Sequence, residues 1–227
     1  MNKVESSILL STYNNEDKII SSIKSILKQK YVDFELLIID DGSTDSTSEL
    51  LNGIQKKDSR IKIFSNQKNL GLTKSLNILI NESSGKLIFR QDADDISLPN
   101  RLQNQVAILK DGKYDVCFTR AIISGSLKKI PNLSYLLPYK LVMKYKNPFI
   151  HGTMGITRDA IMSVDKYDEK YYFAQDYHLY RKIINSNFKI YKLFETHYVL
   201  NMKDNISSKY KEEQNQQFNE IKKLNFK

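Results

Sequence analysis

The sequence predicts an α/β fold, a mostly parallel sheet flanked by helices, and three observations carry that prediction. Short apolar runs alternate with amphipathic stretches over the first ~110 residues, the pattern of strand–helix–strand units joined by right-handed crossovers. With 227 residues and a hydrophobic content of 41%, the chain can bury one sizeable core. Three of the apolar runs end in polar clusters, Tyr13-Asn14, Asp40-Asp41 and Asp92-Ala93-Asp94-Asp95. Ligands in such sheets collect outside the carboxyl ends of the strands.

Ser6 to Ser11 reads as a buried strand feeding Thr12, Tyr13 and Asn14. From Glu16 onward, Ile19, Ile20, Ile23, Ile26 and Leu27 recur at helical spacing. Phe34 to Ile39 is a second buried strand, stopped by Asp40-Asp41-Gly42-Ser43. Thr44 or Asp45 can cap the next helix, which carries Leu50, Leu51 and Ile54. Ile61 to Phe64 is a third strand, and Asn69-Leu70-Gly71 turns into a helix bearing Leu72, Leu76, Ile78 and Leu79. Leu87 to Phe89 is a fourth strand, ending at Arg90. After Pro99 a helix spans Arg101 to Lys110, followed by a strand from Tyr114 to Thr119. Beyond it the periodicity loosens. Ser124 to Ser134 reads as a polar loop or edge hairpin, Tyr135 to Lys146 as a helix, and Ile150 to Thr157 as extended chain. Gln175 to Asn187 is a helix with Tyr177, Tyr180, Ile183 and Ile184 on its apolar face. No internal repeat or linker interrupts residues 1–207, which are expected to form a single domain; residues 208–227 read as a polar C-terminal helix or tail.

The single cysteine, Cys117, excludes an internal disulfide framework, fits a reducing compartment, and lies in an apolar strand where it is expected in the core. No stretch approaches the ~18 apolar residues that span a bilayer, and the apolar run near the N-terminus is too short for a signal peptide. The formal charge is +9, from 35 Lys and Arg against 26 Asp and Glu. That balance favours polyanionic partners such as a phosphorylated substrate or anionic lipid, or it is lysine on solvated helix faces. The lysines read as spread along the chain, and the aromatic–basic cassettes of nucleic-acid binders are absent, so nucleic acid is not an expected partner.

Asp92, Asp94 and Asp95 put three carboxylates within four residues after an apolar strand. Packed together they repel and raise one another's pKa unless a cation neutralises them. Hard oxygen ligands of this kind suit Mg²⁺ or Mn²⁺, which can bridge a diphosphate; the same string also reads as a solvated acidic turn capping the following helix. Asp40-Asp41 could accept from a uracil imide N–H or a ribose hydroxyl, or form an Asx turn. His151, before Gly152, could line an acceptor pocket or serve as a structural histidine at a strand end; His178 carries no expected role.

Leu9–Tyr13, Ile38–Asp45 (IIDDGSTD), Asn69–Asn77 (NLGLTKSLN) and Arg90–Leu102 (RQDADDISLPNRL) together resemble the nucleotide-binding half of family 2 glycosyltransferases. His151–Ala160 (HGTMGITRDA) and Tyr167–Arg181 (YDEKYYFAQDYHLYR) resemble the acceptor half, so the likeness runs from about Ser6 to about Ser207. Any one motif is moderately specific; their order and spacing together are highly specific. The resemblance implies a GT-A fold, with a nucleotide-binding half over about residues 1–120 and a mixed acceptor-side half over about 121–207. It also implies an inverting transfer of a sugar from a nucleotide diphosphate sugar, UDP-linked by expectation. The acceptor would be a glycan or lipid-linked glycan in surface polysaccharide synthesis, at the cytoplasmic face of a membrane whose anionic surface the protein could touch. By the same resemblance Thr12, Tyr13, Asn14, Asp41, Asn69, Lys74, Asp92 and Ala93 would bind the nucleotide sugar, with Tyr13 packing on the base and Asp92 near ribose or sugar. Asp94 would hold Mn²⁺ or Mg²⁺, Asp176 would be the catalytic base, and His151, Gly152 and Gln175 would meet the acceptor.

Two departures qualify the likeness. Gln175 stands where the family usually has glutamate before the aspartate. Before Asn205-Ile206-Ser207, Leu200 and Met202 stand near positions where an arginine and a histidine are common, with His197 out of register. These departures are all that favours a non-catalytic binding module. A sugar nucleotidyltransferase is the other rival, but that class opens with a glycine-rich, arginine-containing loop that Ser11-Thr12-Tyr13-Asn14-Asn15 lacks.

Overall fold

The unbroken apolar runs Ile8–Leu10 and Leu36–Ile39 sit in strands buried at nearly every position, so these strands need cover on both faces, and this requirement organises the chain. The computed structural model describes residues 4–202 and 210–224. Strand β1 (Ser6–Thr12) lies parallel to β2 (Phe34–Asp40) on one side and to β4 (Leu87–Asp92) on the other, and β2 lies parallel to β3 (Ile61–Ser65). Helices α1 (Ile19–Leu27), α2 (Thr47–Gln55) and α3 (Leu72–Glu82) make the crossovers. Because side chains alternate along a strand, Ile8 and Leu10 enter a core with Ile19, Ile23 and Leu102, while Leu9 enters one with Leu76, Leu79 and Ile183. Each such fully buried side chain contributes ~1.5–3 kcal/mol.

Beyond β4 the sheet is mixed. It continues through β5 (Ile96–Ser97), α4 (Arg101–Lys110), β6 (Val116–Ile123), β7 (Lys129–Ile130), α5 (Tyr139–Val142), β8 (Gly155–Thr157), α6 (Arg158–Ser163), α7 (Gln175–Asn185), β9 (Ile190–Leu200) and α8 (Lys211–Lys223). The strand order is β3-β2-β1-β4-β8-β6-β9-β5, with β7 as a hairpin partner of β6. The chain reverses direction across the sheet between β1 and β4, which opens a crevice at their carboxyl ends, where Ser11 pairs with Asp92 and Thr12 with Asp40.

Several elements differ from the sequence expectation, each for a local reason. The fourth strand runs through Arg90 and Gln91 to Asp92, because the buried Arg90 guanidinium finds the Leu9 carbonyl and the Asp92 carboxylate. Ser46, not Thr44 or Asp45, holds the cap position of α2, although the Asp45 carboxylate accepts from Thr47 N at 3.0 Å. The helix expected over Tyr135 to Lys146 is split into a 3-10 turn, Leu133–Tyr135, and the four-residue α5, since Pro138 between them has no N–H and keeps Leu137 out of helical geometry. Within Ile150 to Thr157, His151–Thr153 is a 3-10 turn and only Gly155–Thr157 is strand. The long strand β9 was not expected; its pairing with β6 shifts register around Arg120, which spoils the period-2 signal. Helix α8 is not a free tail: Ile221 is buried, the Phe218 ring lies 4.1 Å from that of Tyr177, and Gln217 Oε1 accepts from Phe173 N at 2.9 Å and Ala174 N at 3.2 Å.

Candidate active site

The crevice between β1 and β4 is built by buried charge. Arg90 is fully enclosed, donates to the Leu9 and Gln91 carbonyls, and meets Asp92 at 2.5 Å. Arg101, also enclosed, donates to Gln91 Oε1, Ser97 Oγ, Gln105 Oε1 and the Arg90 carbonyl. Burial lowers its pKa to about 10, which still leaves it charged at neutral pH. These bonds fix the loop between β4 and α4 and hold Asp92 at the rim. Room for that carboxylate comes from Gly152: a Cβ there would lie 2.5 Å from Asp92 Oδ2 and 2.4 Å from the Tyr198 hydroxyl.

The three acidic residues take different orientations. Asp95 is buried and accepts from Asn201 N at 2.7 Å; burial, then the charges of Asp92 and Asp94, hold its pKa far above the carboxylate range. Asp94 borders a cleft of about 240 Å³ with Lys18 and Asn201, accepts from Asn201 Nδ2 at 3.2 Å, and is raised by burial and by Asp92. Among the described residues no three His, Cys, Asp or Glu side chains converge on one point that could hold a metal ion. Burial first, and neighbouring carboxylate charge second, raise both Asp94 and Asp95. A cation held by one or two carboxylates plus substrate oxygens fits this arrangement better than an all-protein cage.

Asp176 opens α7 and comes from the other half of the chain. Its Oδ1 accepts from Tyr177 N and its Oδ2 from Asn147 Nδ2, both at 2.7 Å. It sits deep but keeps a partly exposed edge. Burial raises its pKa to about 6, and the charge of Asp92 adds to the rise. Two carboxylates some eighty residues apart in sequence thus share one electrostatic environment, one of them poised to take a proton near neutral pH.

The remaining expected residues fall into groups. Thr12 is buried, and its hydroxyl has no partner among the described residues. Tyr13 is half exposed beside it. Asn14, at φ 47, accepts from Thr44 N at its Oδ1 and donates its own N–H to Ser43 Oγ, bracing the next loop. Asp41 is buried; Asn66 Nδ2, Leu70 N and Gly71 N all donate to it, so it pins the 66–71 loop. Gly71 (φ 90) is required there because a Cβ would strike the Tyr172 ring. Asn69 and Lys74 are exposed at the start of α3, and the Ala93 side chain packs into the core. His151 contacts the Tyr167 hydroxyl at 2.6 Å and is kept neutral by burial and by Arg90. Gln175 is buried with Oε1 unpartnered among the described residues.

Leu200 ends β9 and Met202 is half exposed, but Asn201 between them reaches the acidic loop. His197 faces Asn104 at 3.1 Å, away from that loop's carboxylates, and the Asn205-Ile206-Ser207 motif lies outside the described residues. Sequence reasoning missed Arg90, Asn147, Tyr198 and Asn201. Only Arg90, a charge inside an apolar run, left a signal.

The chain matches the model of Glycosyl transferase family 2 over residues 7–169. It is 31% identical over 225 residues to the uncharacterized glycosyltransferase MJ1057 of Methanocaldococcus jannaschii, covering 94% of this chain and 77% of that protein. It is 30% identical over 190 residues to the Escherichia coli UDP-Glc:alpha-D-GlcNAc-diphosphoundecaprenol beta-1,3-glucosyltransferase WfgD, covering 80% of this chain and 70% of that protein. The mannosyltransferase PcManGT of Pyrobaculum calidifontis, solved with GDP-Man and Mn²⁺, superposes with a TM-score of 0.75 at 16% identity. That match covers 95% of this chain, which spans only 62% of the solved one.

Proposed function

The chain belongs to glycosyl transferase family 2, and from that premise we propose that it moves a sugar, by inversion, from a UDP-sugar to a lipid-linked glycan acceptor. The observation that carries the reading is the Asp176 carboxylate, fixed at the start of α7 by Asn147 Nδ2 and Tyr177 N and raised to about 6 by burial and, to a lesser degree, by the charge of Asp92. Displacing a nucleoside diphosphate from an anomeric carbon requires the acceptor hydroxyl to lose its proton while it attacks from the face opposite the leaving group. Asp176 takes that proton; Asn147 and Tyr177 N fix the carboxylate. Asp92, oriented by Arg90, positions the donor's ribose or sugar, and Thr12, Tyr13 and the Asp41-pinned loop with Asn69 and Lys74 form the nucleoside wall. Asn14 braces that wall and Ala93 anchors the acidic loop. Asp94, with the diphosphate oxygens, would hold Mn²⁺ or Mg²⁺, which supplies charge neutralisation on the departing diphosphate. His151, Gly152 and Gln175 line the acceptor side. WfgD, by its name, uses UDP-Glc and a GlcNAc-diphospholipid, and this chemistry is the first to try here, at the cytoplasmic membrane face. A thermal-shift panel of nucleotide sugars with and without Mn²⁺ tests the reading. The matching donor at a hundredfold over its dissociation constant should add about 2.7 kcal/mol of stability, and a panel without any metal-dependent shift would contradict it.

Two further outcomes are expected. Because the base form of Asp176 is lost as pH falls through about 6, kcat should be flat above that value and fall about tenfold per pH unit below it. A profile flat down to pH 4.5 would remove a carboxylate of that pKa from the rate-limiting step. Asp41→Ala strands three donors, at about 1 kcal/mol each, so the variant should lose about 3 kcal/mol of stability and bind UDP at least tenfold more weakly, with Mn²⁺ dependence retained. Unchanged UDP affinity by calorimetry would exclude the 66–71 loop from the nucleoside pocket.

A further inference from the structure

We infer that the face formed by residues 133–146 docks the protein on an anionic lipid bilayer and presents the Asp176 side of the site to the membrane surface. This deepens the proposed function and rests on its reading of the acceptor as lipid-linked. The face is a groove of about 580 Å³ lined by Leu133, Leu136, Leu137, Leu141 and Tyr145. Leu133 and Tyr145 are 73% and 72% exposed and Leu136 is 66% exposed, and apolar side chains grouped on one face and rimmed by polar residues are the kind of patch that marks an interaction site.

Charge identifies the occupant. The lysines and arginines are spread along the chain, but the acidic residues are not: residues 116–158 contain seven Lys and Arg and no Asp or Glu, and so form a segment of uncompensated positive charge. Lys140, Lys144 and Lys146 are exposed within the groove segment itself. Leucines and a tyrosine rimmed by lysines match the layered chemistry of a bilayer interface, apolar below and anionic above. A second copy would bring two faces of the same sign together, an arrangement that repels across an isologous contact.

The face is also tied to the site. Lys146 is followed by Asn147, which donates to Asp176, and the Tyr177 hydroxyl donates to the Met143 carbonyl at 2.7 Å. Lys192 Nζ donates to the Tyr135 and Leu137 carbonyls, fixing the other end of the segment on β9. A surface held against this segment therefore lies next to the proton acceptor.

Vesicle flotation tests the inference. The wild-type chain should float with vesicles containing phosphatidylglycerol and stay behind with pure phosphatidylcholine. Leu133→Ser/Leu136→Ser should reduce partitioning at least tenfold. Lys140→Ser/Lys144→Ser should reduce it about fivefold per lysine and weaken its salt dependence. Leu127→Ser, at a 94% exposed position outside the groove, should float like wild type. Failure of the wild type to float, an unaffected Leu133→Ser/Leu136→Ser variant, or a wild-type dimer that this variant dissolves would each overturn the docking face. Transfer to a short-chain, water-soluble acceptor is measured in parallel. Its persistence without flotation overturns the docking face alone, whereas its absence in the wild type overturns the functional reading.

Discussion

Asp176→Asn should lower transfer by about 10²–10⁴-fold, the usual contribution of a general base, which is roughly 3–5 kcal/mol of barrier at ~1.36 kcal/mol per decade. The substitution is nearly isosteric: an amide oxygen can still accept from Tyr177 N, while Asn147 keeps its bond from Phe149 N or gives it up to turn its Oδ1 towards the new amide. Donor binding should survive, because in the proposed reaction Asp176 meets the acceptor and not the diphosphate. Stability separates this account from a structural role. A carboxylate whose pKa is raised in the folded state to about 6 destabilises the fold above the unfolded value. The full linkage of about two units is ~3 kcal/mol, and the partly exposed edge of Asp176 brings it down to roughly 1–2. At pH 8 the asparagine variant should therefore melt at or above the wild-type temperature while losing its rate. A fall in rate that tracks a fall in melting temperature would assign Asp176 to helix capping, and near-normal transfer would leave Asp168 or Glu169 as the next bases to test.

The second large effect concerns Asp94. In the wild type, UDP should bind about a hundredfold more tightly in Mn²⁺ than in EDTA. The estimate follows from two opposite unit charges ~6 Å apart at an effective dielectric of ~20, which attract by ~2.8 kcal/mol. Asp94→Ala should reduce that ratio to about threefold or less. Affinity in EDTA should hold or improve slightly, because one of the charges that crowd Asp92 and Asp95 is gone. Titration calorimetry giving equal wild-type affinities in the two buffers, or an undiminished Mn²⁺ effect in the variant, would exclude Asp94 as the metal-holding residue.

The N-terminal half was legible because its signals are local. Continuous apolar runs such as Phe34 to Ile39 declare buried strands, and the acidic clusters behind them mark strand ends. The C-terminal half is held by long-range contacts that leave no periodic trace. Strand β9 changes phase at the irregular pairing with β6, and the segment from Tyr135 to Lys146 reads as one helix although Pro138 breaks it. The site shows the same division. Asp92 and Asp94 were readable from spacing and chemistry, whereas Asp176 alone reads as a helix N-terminal carboxylate and gained its expected role from the family resemblance. Its environment, buried and with Asn147 donating to it, exists only in the fold. Asp41 is the opposite case: its position was expected, but its buried carboxylate is spent on the 66–71 loop, a bond pattern no sequence spacing announces.

The central claim is a single displacement assisted by Asp176, and the anomeric configuration of the product tests it most directly. Proton NMR of the reaction between α-linked UDP-glucose and a short-chain GlcNAc-diphospho-alkyl acceptor in Mn²⁺ should show a β-linked product, formed by the wild type and lost with Asp176→Asn. An α-linked product, or β-linked product accumulating at the wild-type rate in the variant, would contradict it.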